Sequence, residues 1–280
     1  MRPVLRRGAS GHEVARLQEL LAAAGFPPGP IDGRFGAATE AALVAFQRAH
    51  ELLADGVCGP VTWAMLIEGR PGKPVSVLAR VDVEFTAQLF PFTALDPIAR
   101  NLPHVKAGLE AAGLVDKPMV LVALATIRAE SEGFEPVDEA ISRFNTSPGG
   151  RPFDLYDHRA DLGNEGPPDG ERYKGRGFVQ LTGRFNYAWA SRRLGWGDRL
   201  LREPELANEP ATAGAILASF LAERQLAIKE ALLEGDLRRA RRLVNGGLHG
   251  IDRFRDAYRR GERLVADAVW TLRPERPLTA

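Results

Sequence analysis

A glutamate at the end of an apolar segment is the first residue of this chain that could do acid chemistry. Glu130 follows residues 118–129, PMVLVALATIRA, whose length and composition predict a buried helix. The negative end of the helix dipole and the apolar neighbours would both disfavour an ionised carboxylate there. A carboxylic acid that keeps its proton near neutral pH is what general acid catalysis requires. Composition alone also fits a surface glutamate at a frayed helix end, since Glu132 and Glu135 are close by.

A second region with chemical potential is the segment 173–187, which reads YKGRGFVQLTGRFNY. Gly175 and Gly177 surround Arg176, and glycines at this spacing allow the backbone to come close to a ligand. The apolar residues within 178–181, FVQL, predict a short strand that faces a core. Composition alone leaves two interpretations, a ligand-binding wall and a glycine-rich turn that leads into a strand.

The same segment resembles the YYGRG-(P/L/V)-IQLT-x-(R/N)-x-NY signature of glycoside hydrolase family 19 chitinases and of related lysozyme-like endolysins of phages and bacteria. Residues 129–134, AESEGF, are similar to the AHESGGF stretch of the bacterial and phage members, and residues 244–247, VNGG, to the family's INGG motif. Ala129 stands where those members carry His, and Glu132 where they carry Gly. Glu132 adds like charge beside the acid, which Arg128 would oppose.

The resemblance implies which residues do the chemistry. It makes Glu130 the acid and places the second carboxylate about nine residues later, at Glu139, where it would activate a water or stabilise an oxocarbenium-like transition state. Thr182 would orient that water through its hydroxyl. Asp138 is the nearest alternative for the second carboxylate. Family 19 chemistry implies inversion, with a water between two separated carboxylates.

The resemblance also predicts the sugar contacts. Residues 153–164 are similar to the Y-x-x-R-x-x-(L)-G-N segment of the same relatives, so Tyr156 would stack on a sugar and Arg159 would hydrogen-bond to it. Packing and capping of the loop explain these two residues equally well. The amide of Asn245 offers a donor and an acceptor to N-acetyl and hydroxyl groups. The predicted substrate-binding residues are Tyr156, Arg159, Tyr173, Arg176, Gln180, Asn186 and Asn245.

Arginines crowd the segment before Asn245, at positions Arg238, Arg239, Arg241 and Arg242. The pattern is typical of a solvated helix face, and attraction to anionic wall polymers is the functional alternative.

The acidic loop at residues 154–161 does not predict a metal site. Its candidate ligands lie within one loop and have no partner cluster elsewhere in the sequence; they are Asp154, Asp157, His158 and Asp161. The pair His12 and Glu13 lacks the second helical histidine of a zinc protease motif. We therefore expect no metal and no cofactor.

Two similar units lie near the beginning of the chain, DGRFGAAT at residues 32–39 and DGVCGPVT at residues 55–62. Each pairs an Asp-Gly turn with a Gly-x-x-Thr helix start, and three short helices around them predict a small bundle. The layout of about residues 4–68 resembles the peptidoglycan-binding domain of cell-wall hydrolases, with Cys58 where the second repeat commonly carries Phe or a similar residue. The resemblance implies peptidoglycan as the partner, and a bundle used only for spacing is the alternative.

Composition predicts two domains. Residues 1–68 form the bundle, and residues 69–80, with prolines and glycines but no apolar periodicity, form a linker. Residues 81–270 are expected to be mostly helical, with loops and a small hairpin in 132–175 that build a cleft. Residues 271–280 read as a frayed tail. The predicted fold class is mainly α: a three-helix bundle, then a lysozyme-like helical domain with a small β hairpin.

Bulk properties restrict the class of partner. The 280 residues include 37 basic and 36 acidic ones, a net charge of +1, which gives no electrostatic argument for nucleic acid or an anionic membrane. No run approaches the roughly 18 apolar residues of a membrane span, so we expect no membrane insertion.

The single cysteine, Cys58, excludes an internal disulfide framework. The start lacks the apolar region of a secretory signal peptide, so we expect synthesis in the host cytoplasm and action at the wall after release. We also expect a monomer.

Together the two resemblances imply an endolysin-type peptidoglycan hydrolase that cleaves β-1,4 glycosidic bonds of the glycan strand, as a muramidase does. Two alternatives stay open at this point. One is a chitinase, since chitin and the glycan strand share N-acetylglucosamine. The other is a non-catalytic protein that binds the cell wall.

Overall fold

Helices dominate the computed structural model, which describes residues 2–265. Within that range the chain forms thirteen α-helices and four short 3-10 turns, and none of the helices is both long and apolar enough to cross a membrane. Extended pairing there is limited to three isolated antiparallel bridges. The mainly α fold class is therefore confirmed. The helices are α1 (His12–Ala23), α2 (Ala37–Ala49), α3 (Pro60–Glu68), α4 (Val83–Leu89), α5 (Leu95–Ala111), α6 (Lys117–Glu130), α7 (Asp169–Arg172), α8 (Arg184–Arg193), α9 (Arg199–Arg202), α10 (Pro210–Glu223), α11 (Gln225–Leu233), α12 (Leu237–Asn245) and α13 (Ile251–Leu264).

The described residues separate into two compact units. The first contains residues 2–76 and 226–240, and the second contains 77–225 and 241–265. The domain limits expected from composition, with a linker at 69–80, stay a prediction. The tail expected at 271–280 lies outside the described residues.

Helices α1 to α3 enclose a shared apolar core in the first unit, which includes Leu17, Leu43, Phe46 and Trp63. The Asp-Gly turn of the first repeat is held by Gln18 of α1, whose side chain is buried. Gln18 Oε1 accepts a hydrogen bond from the Gly33 amide at 2.9 Å, and its Nε2 lies 3.1 Å from Asp32 Oδ1 and 3.1 Å from Thr39 Oγ1.

The second repeat forms the same network around Gln47 of α2. Gln47 Oε1 accepts from the Gly56 amide at 3.0 Å, while Nε2 donates to Asp55 at 2.8 Å and to Thr62 at 3.3 Å. In each repeat, hydrogen bonds between a buried glutamine and the Asp, Gly and Thr therefore hold the turn against a helix. The repeat in the sequence corresponds to a repeated hydrogen-bond network in the structure.

The frame of the second unit depends on close helix packing. Helices α5 and α10 cross where Gly108 meets Gly214: a Cβ on Gly108 would lie 2.5 Å from Gly214 O, and one on Gly214 would lie 2.6 Å from His104 O. Only glycine allows the two backbones to touch in this way. Two separate helices, α10 and α11, follow one another in this part of the chain.

The segment 173–187 forms a tight turn where a strand was expected over residues 178–181. Arg176 and Leu181 exchange two backbone hydrogen bonds, at 3.2 and 2.8 Å, and the four residues between them turn back. Gly177 has φ +80° and Gln180 has φ +49°. These left-handed residues bend the backbone too sharply for an extended strand, so the strand prediction is wrong.

Candidate active site

Glu130 is the last residue of α6, and almost the whole of that helix is buried. The helix begins where the Asp116 carboxylate accepts from the Met119 amide at 3.2 Å, and it ends as Ser131 becomes extended. The Glu130 side chain is only 9% exposed. Its Oε1 accepts from Arg241 Nη2 at 2.6 Å and from Asn245 Nδ2 at 2.5 Å, whereas Oε2 has no hydrogen bond to a protein group within residues 2–265.

Arg241 is the residue at this site that the sequence interpretation missed. The arginine stretch was expected to be a solvated helix face, but Arg241 is fully buried and contacts Glu130, so that expectation is wrong for this position. A signal was present, because Arg241 lies four residues before Asn245 on α12 and such pairs share one face of a helix.

Other charges near Glu130 in sequence are paired elsewhere. Arg128, expected to act on the acid, donates to Leu89 O at 2.6 Å and to Asp256 at 2.7 Å. Glu132 pairs with Arg253 at 3.4 Å on the surface. The cation that contacts Glu130 therefore comes from a distant helix and not from a sequence neighbour.

Glu139 lies in a second cluster, in the segment between α6 and α7. Its Oε1 accepts from the Tyr156 hydroxyl at 2.9 Å and from Asn145 Nδ2 at 3.0 Å, and its Oε2 accepts from the Gly175 amide at 3.1 Å. The Glu139 amide in turn donates to Gly175 O at 2.7 Å. Three uncharged donors hold this carboxylate, and the sequence interpretation identified one of them, Tyr156, only as a sugar contact.

The phenol of Tyr156 is a stable donor to Glu139. Burial, together with the hydrogen bond and negative charge of Glu139, raises the pKa of Tyr156 to about 12. Tyr156 therefore keeps its proton across the neutral range. The stacking role predicted for its ring stays a prediction, and its hydroxyl is committed to Glu139.

Gly175 marks the point at which three candidate residues converge. A Cβ at this position would lie 2.7 Å from Gln180 Oε1, 3.0 Å from Glu139 Oε2 and 3.1 Å from Thr182 Oγ1. The Thr182 hydroxyl donates to the Gln180 carbonyl at 2.8 Å, so its lone pairs are available to accept. The structure thus groups Glu139, Thr182 and Gln180 around a residue that has no side chain.

Asp138, the alternative second carboxylate, is held quite differently. It lies 2.7 Å from Lys174 Nζ and 3.2 Å from Arg176 Nε, and Asn208 donates to it at 2.6 Å. Burial raises the pKa of Asp138, but Lys174, Asn208 and Arg176 together bring it below its usual value. Asp138 is therefore a partner of two cations, whereas Glu139 has none within the part of the chain that the structure describes.

The predicted sugar contacts fall into two groups. Tyr173 and Arg176 are buried: the Tyr173 hydroxyl donates to Leu201 O at 3.1 Å, and Arg176 Nη1 donates to the Tyr187 hydroxyl at 2.8 Å. Sugar binding by these two residues stays a prediction, and in the structure their polar groups already bind protein.

The remaining predicted contacts are more accessible. Gln180 donates to Val137 O at 3.0 Å, and Asn186 donates to Thr182 O at 2.8 Å. Arg159 is exposed and forms a two-point pair with Asp161. The structure therefore brings Asn245 to Glu130, and Tyr156, Gln180 and Thr182 to Glu139, with Asn186 beside them.

No group of three or more His, Cys, Asp or Glu side chains within residues 2–265 is arranged to hold a metal ion. The acidic loop is instead tied by internal bonds. Asp154 accepts from the Ser147 amide at 2.8 Å, and Asp157 lies 2.9 Å from Arg151 Nη2.

Comparison with known proteins finds two kinds of similarity. The family described as "Putative peptidoglycan binding domain" matches residues 10–66. The N-acetylmuramoyl-L-alanine amidase CwlM of Mycobacterium tuberculosis is 50% identical over 52 residues, which are 19% of this chain and 13% of the amidase. The chain spans a quarter or less of the length of several curated relatives that it matches, this amidase among them.

The longer similarity is to a glycosyl hydrolase family 19 domain-containing protein of Haemophilus influenzae. It is 26% identical over 176 residues, which are 55% of this chain and 84% of that protein. The solved structure of chitinase C from Streptomyces griseus aligns with 70% of this chain and 79% of its own, at 17% identity and a TM-score of 0.46. Both resemblances drawn from the motifs are confirmed: the chain is similar to the putative peptidoglycan binding domain over residues 10–66 and, over a longer stretch, to a protein with a glycoside hydrolase family 19 domain.

Proposed function

We propose that the protein is an endolysin-type peptidoglycan hydrolase that cleaves β-1,4 glycosidic bonds of the glycan strand, as a muramidase does. The observation that carries the proposal is the convergence of oxygens from Glu139, Gln180 and Thr182 beside Gly175. A hydrolytic water needs a base and further polar atoms that fix its direction, and this group supplies both.

In this mechanism Glu139 is the base. A water beside Gly175 would give its proton to Glu139 Oε2 and would be oriented by the Thr182 hydroxyl. Tyr156, Asn145 and the Gly175 amide hold the carboxylate, so the base does not have to reorganise during the reaction. Because no cation pairs with Glu139 in the described residues, its negative charge also suits an oxocarbenium-like sugar.

Glu130 is the acid. Arg241 and Asn245 occupy Oε1, which leaves Oε2 as the atom that can carry a proton to the leaving oxygen. A glycosidic bond between the two glutamates would receive a proton from one side and water from the other. That arrangement is the inverting mechanism of paired carboxylates.

The first domain supports a cell-wall substrate. Residues 10–66 match the putative peptidoglycan binding domain, and a wall-binding domain joined to a glycosidase raises the local concentration of enzyme on an insoluble polymer. We propose peptidoglycan as the partner of a monomeric protein that acts at the wall. Size-exclusion chromatography with light scattering would test the monomer.

The test of the proposed activity uses the full chain on purified peptidoglycan and on chitin. We expect reducing ends to appear on peptidoglycan, and mass spectrometry to find reducing N-acetylmuramic acid at the new chain ends. Reducing N-acetylglucosamine would show a glucosaminidase, and an anhydro-sugar would show a transglycosylase. Either product would overturn the muramidase proposal.

Two other outcomes correspond to the alternatives. Activity on chitin alone would favour a chitinase, to which the family 19 resemblance of the second domain gives independent support. Retention on wall material without any bond cleavage would favour a non-catalytic wall-binding protein.

A further inference from the structure

Arg241 has surroundings that its place in an arginine-rich stretch does not explain. Arg242, its neighbour, is exposed, and Arg239 pairs with Glu234 at 2.8 Å near the surface. Arg241 is fully buried, and its Nη2 lies 2.6 Å from Glu130 Oε1. Burial of a guanidinium costs much free energy unless it has a partner. The burial of Arg241 beside Glu130 therefore calls for a physical explanation.

The guanidinium of Arg241 is fixed on its far side. His249 O accepts from Nε at 3.1 Å and from Nη2 at 2.9 Å, and the Phe254 ring lies with its centroid 5.9 Å from Cζ. A planar guanidinium held at two nitrogens can rotate little. The atom that meets Glu130 is therefore fixed in position before any ligand arrives.

No sequence neighbour of Glu130 can take over this task. Ala129 has no polar side-chain atom and packs against Gly250, the residue just before α13: a Cβ on Gly250 would lie 2.5 Å from Ala129 O and 3.0 Å from Ala129 Cβ. Arg128 is bound to Leu89 O and Asp256. Asn245 also contacts Glu130, but it is exposed and uncharged, so it restrains the carboxylate less.

One donor of Arg241 is not used within the fold. Nη1 is buried and has no hydrogen-bond partner among residues 2–265. A buried donor without a partner is costly, and a residue with a purely structural role would be expected to satisfy all its donors.

We propose that Arg241 is a positioning residue for the acid: it holds Oε1 of Glu130 so that Oε2 presents its proton to the glycosidic oxygen. This inference rests on the proposed function, with Glu130 as the acid. Arg241 acts through Glu130 and makes no contact of its own with the breaking bond.

The first test compares Arg241→Lys with the matched change Arg242→Lys on a soluble glycan oligomer. Lysine keeps the charge, but its single nitrogen cannot reproduce the Nε and Nη2 bonds to His249 O that fix the guanidinium while Nη2 contacts Glu130. We expect kcat of Arg241→Lys to fall about tenfold to a hundredfold with little change in KM, because a small misplacement of a reacting group is enough for such a loss. Arg242→Lys should match the wild type.

Two further measurements separate positioning from folding. In Arg241→Ala, added guanidinium ion should restore part of kcat, and it should do nothing for Arg242→Ala. In a Glu130→Gln background, Arg241→Lys should cause no additional loss, because residues that act as one unit are not additive. Circular dichroism and thermal melting would establish the folded fraction of each variant. If Arg241→Ala does not fold, the kcat of Arg241→Lys alone tests whether Arg241 positions Glu130.

Wild-type kcat in folded Arg241→Lys would overturn the inference, and so would a loss in the Glu130→Gln background equal to that in the wild type. A wild-type protein that cleaves no glycan would instead overturn the proposed function itself. The two failures are therefore distinguishable.

Discussion

Glu130 and Glu139 belong to the same unit, but different chemistry holds their carboxylates. A buried guanidinium and an amide share one oxygen of Glu130, and its other oxygen has no hydrogen bond to protein within residues 2–265. Glu139 has both oxygens occupied, by a phenol, an amide and a backbone N–H. In the proposed mechanism, the first arrangement leaves one atom of Glu130 free to deliver a proton. The second would fix Glu139 as a base without a cation that competes for its charge.

The contrast also bears on the choice between neighbouring carboxylates. Asp138, like Glu130, is paired with cations, and its partners are Lys174 and Arg176. Unlike Glu130, it has a side chain that is 46% exposed. A carboxylate that already neutralises two cations has less attraction left for a developing positive charge on a sugar. We therefore favour Glu139 over Asp138 as the second carboxylate.

The largest effect is expected from Glu130→Gln. Glutamine keeps an acceptor oxygen for Arg241, so the fold should persist with a lower Tm, but it has no proton to give. General acid catalysis contributes about 10²–10⁴-fold, so release of reducing ends should fall by about that factor and stay measurable. Initial rates on peptidoglycan, with circular dichroism as the folding control, measure it. Undiminished lysis by folded Glu130→Gln would remove Glu130 from the acid role.

Glu139→Gln should lose less than Glu130→Gln, about 10²-fold in kcat. The Thr182 hydroxyl and the substrate can still direct a water, although the base is gone. Asp138→Asn is the control, and it should affect melting more than kcat, because it removes the partner of Lys174 and Arg176. Complete loss in Asp138→Asn with none in Glu139→Gln would reverse the assignment.

Much of this arrangement could be predicted because it is local in sequence. The apolar run before Glu130 predicted helix α6 and its end, and the repeated turns predicted the first bundle. The partners of the carboxylates could not be predicted in this way, since Arg241 is 111 residues from Glu130 and Gly175 is 36 residues from Glu139. An arginine also counts as a polar residue when burial is predicted from the spacing of apolar residues, so the burial of Arg241 follows only from the tertiary fold.

Backbone conformation was the second feature that could not be predicted from the sequence. The residues FVQL have strand propensity, yet the positive φ of Gly177 and Gln180 makes the segment a turn. Phe178 within that turn is still buried and lies 6.0 Å from Phe134, ring centroid to ring centroid. The apolar pattern thus predicted burial correctly and the local conformation wrongly.

Gly175→Ala tests the space beside Glu139 without changing any polar group. Its methyl would lie 2.7 Å from Gln180 Oε1, which must move away, and 3.0 and 3.1 Å from Glu139 Oε2 and Thr182 Oγ1, which must shift by a few tenths of an ångström. We expect kcat to fall by about 10²-fold, since a displaced water or base loses its alignment. Gly133→Ala is the matched control, because a Cβ there would meet no atom within 4 Å. Equal activity of both variants would remove the water site from beside Gly175.

The smallest effect is expected from Tyr156→Phe, which removes one of three donors to Glu139 and keeps the ring. A hydrogen bond to a charged group contributes about 1.5–3 kcal/mol, and the two remaining donors limit the loss of kcat to about tenfold. Because the pKa of Tyr156 is raised to about 12 from an ordinary value near 10, the stabilisation from its hydrogen bond is fully present below about pH 10 and is lost as the pH rises through about 12. Between pH 5 and pH 9 the phenol keeps its proton, so the variant should lower the pH–rate profile evenly without moving either limb. A change in the shape of the profile within that window would mean that Tyr156 itself exchanges a proton. Tyr156 would then not be a simple uncharged donor to Glu139, and the contrast with Glu130, which is held by a cation, would fail.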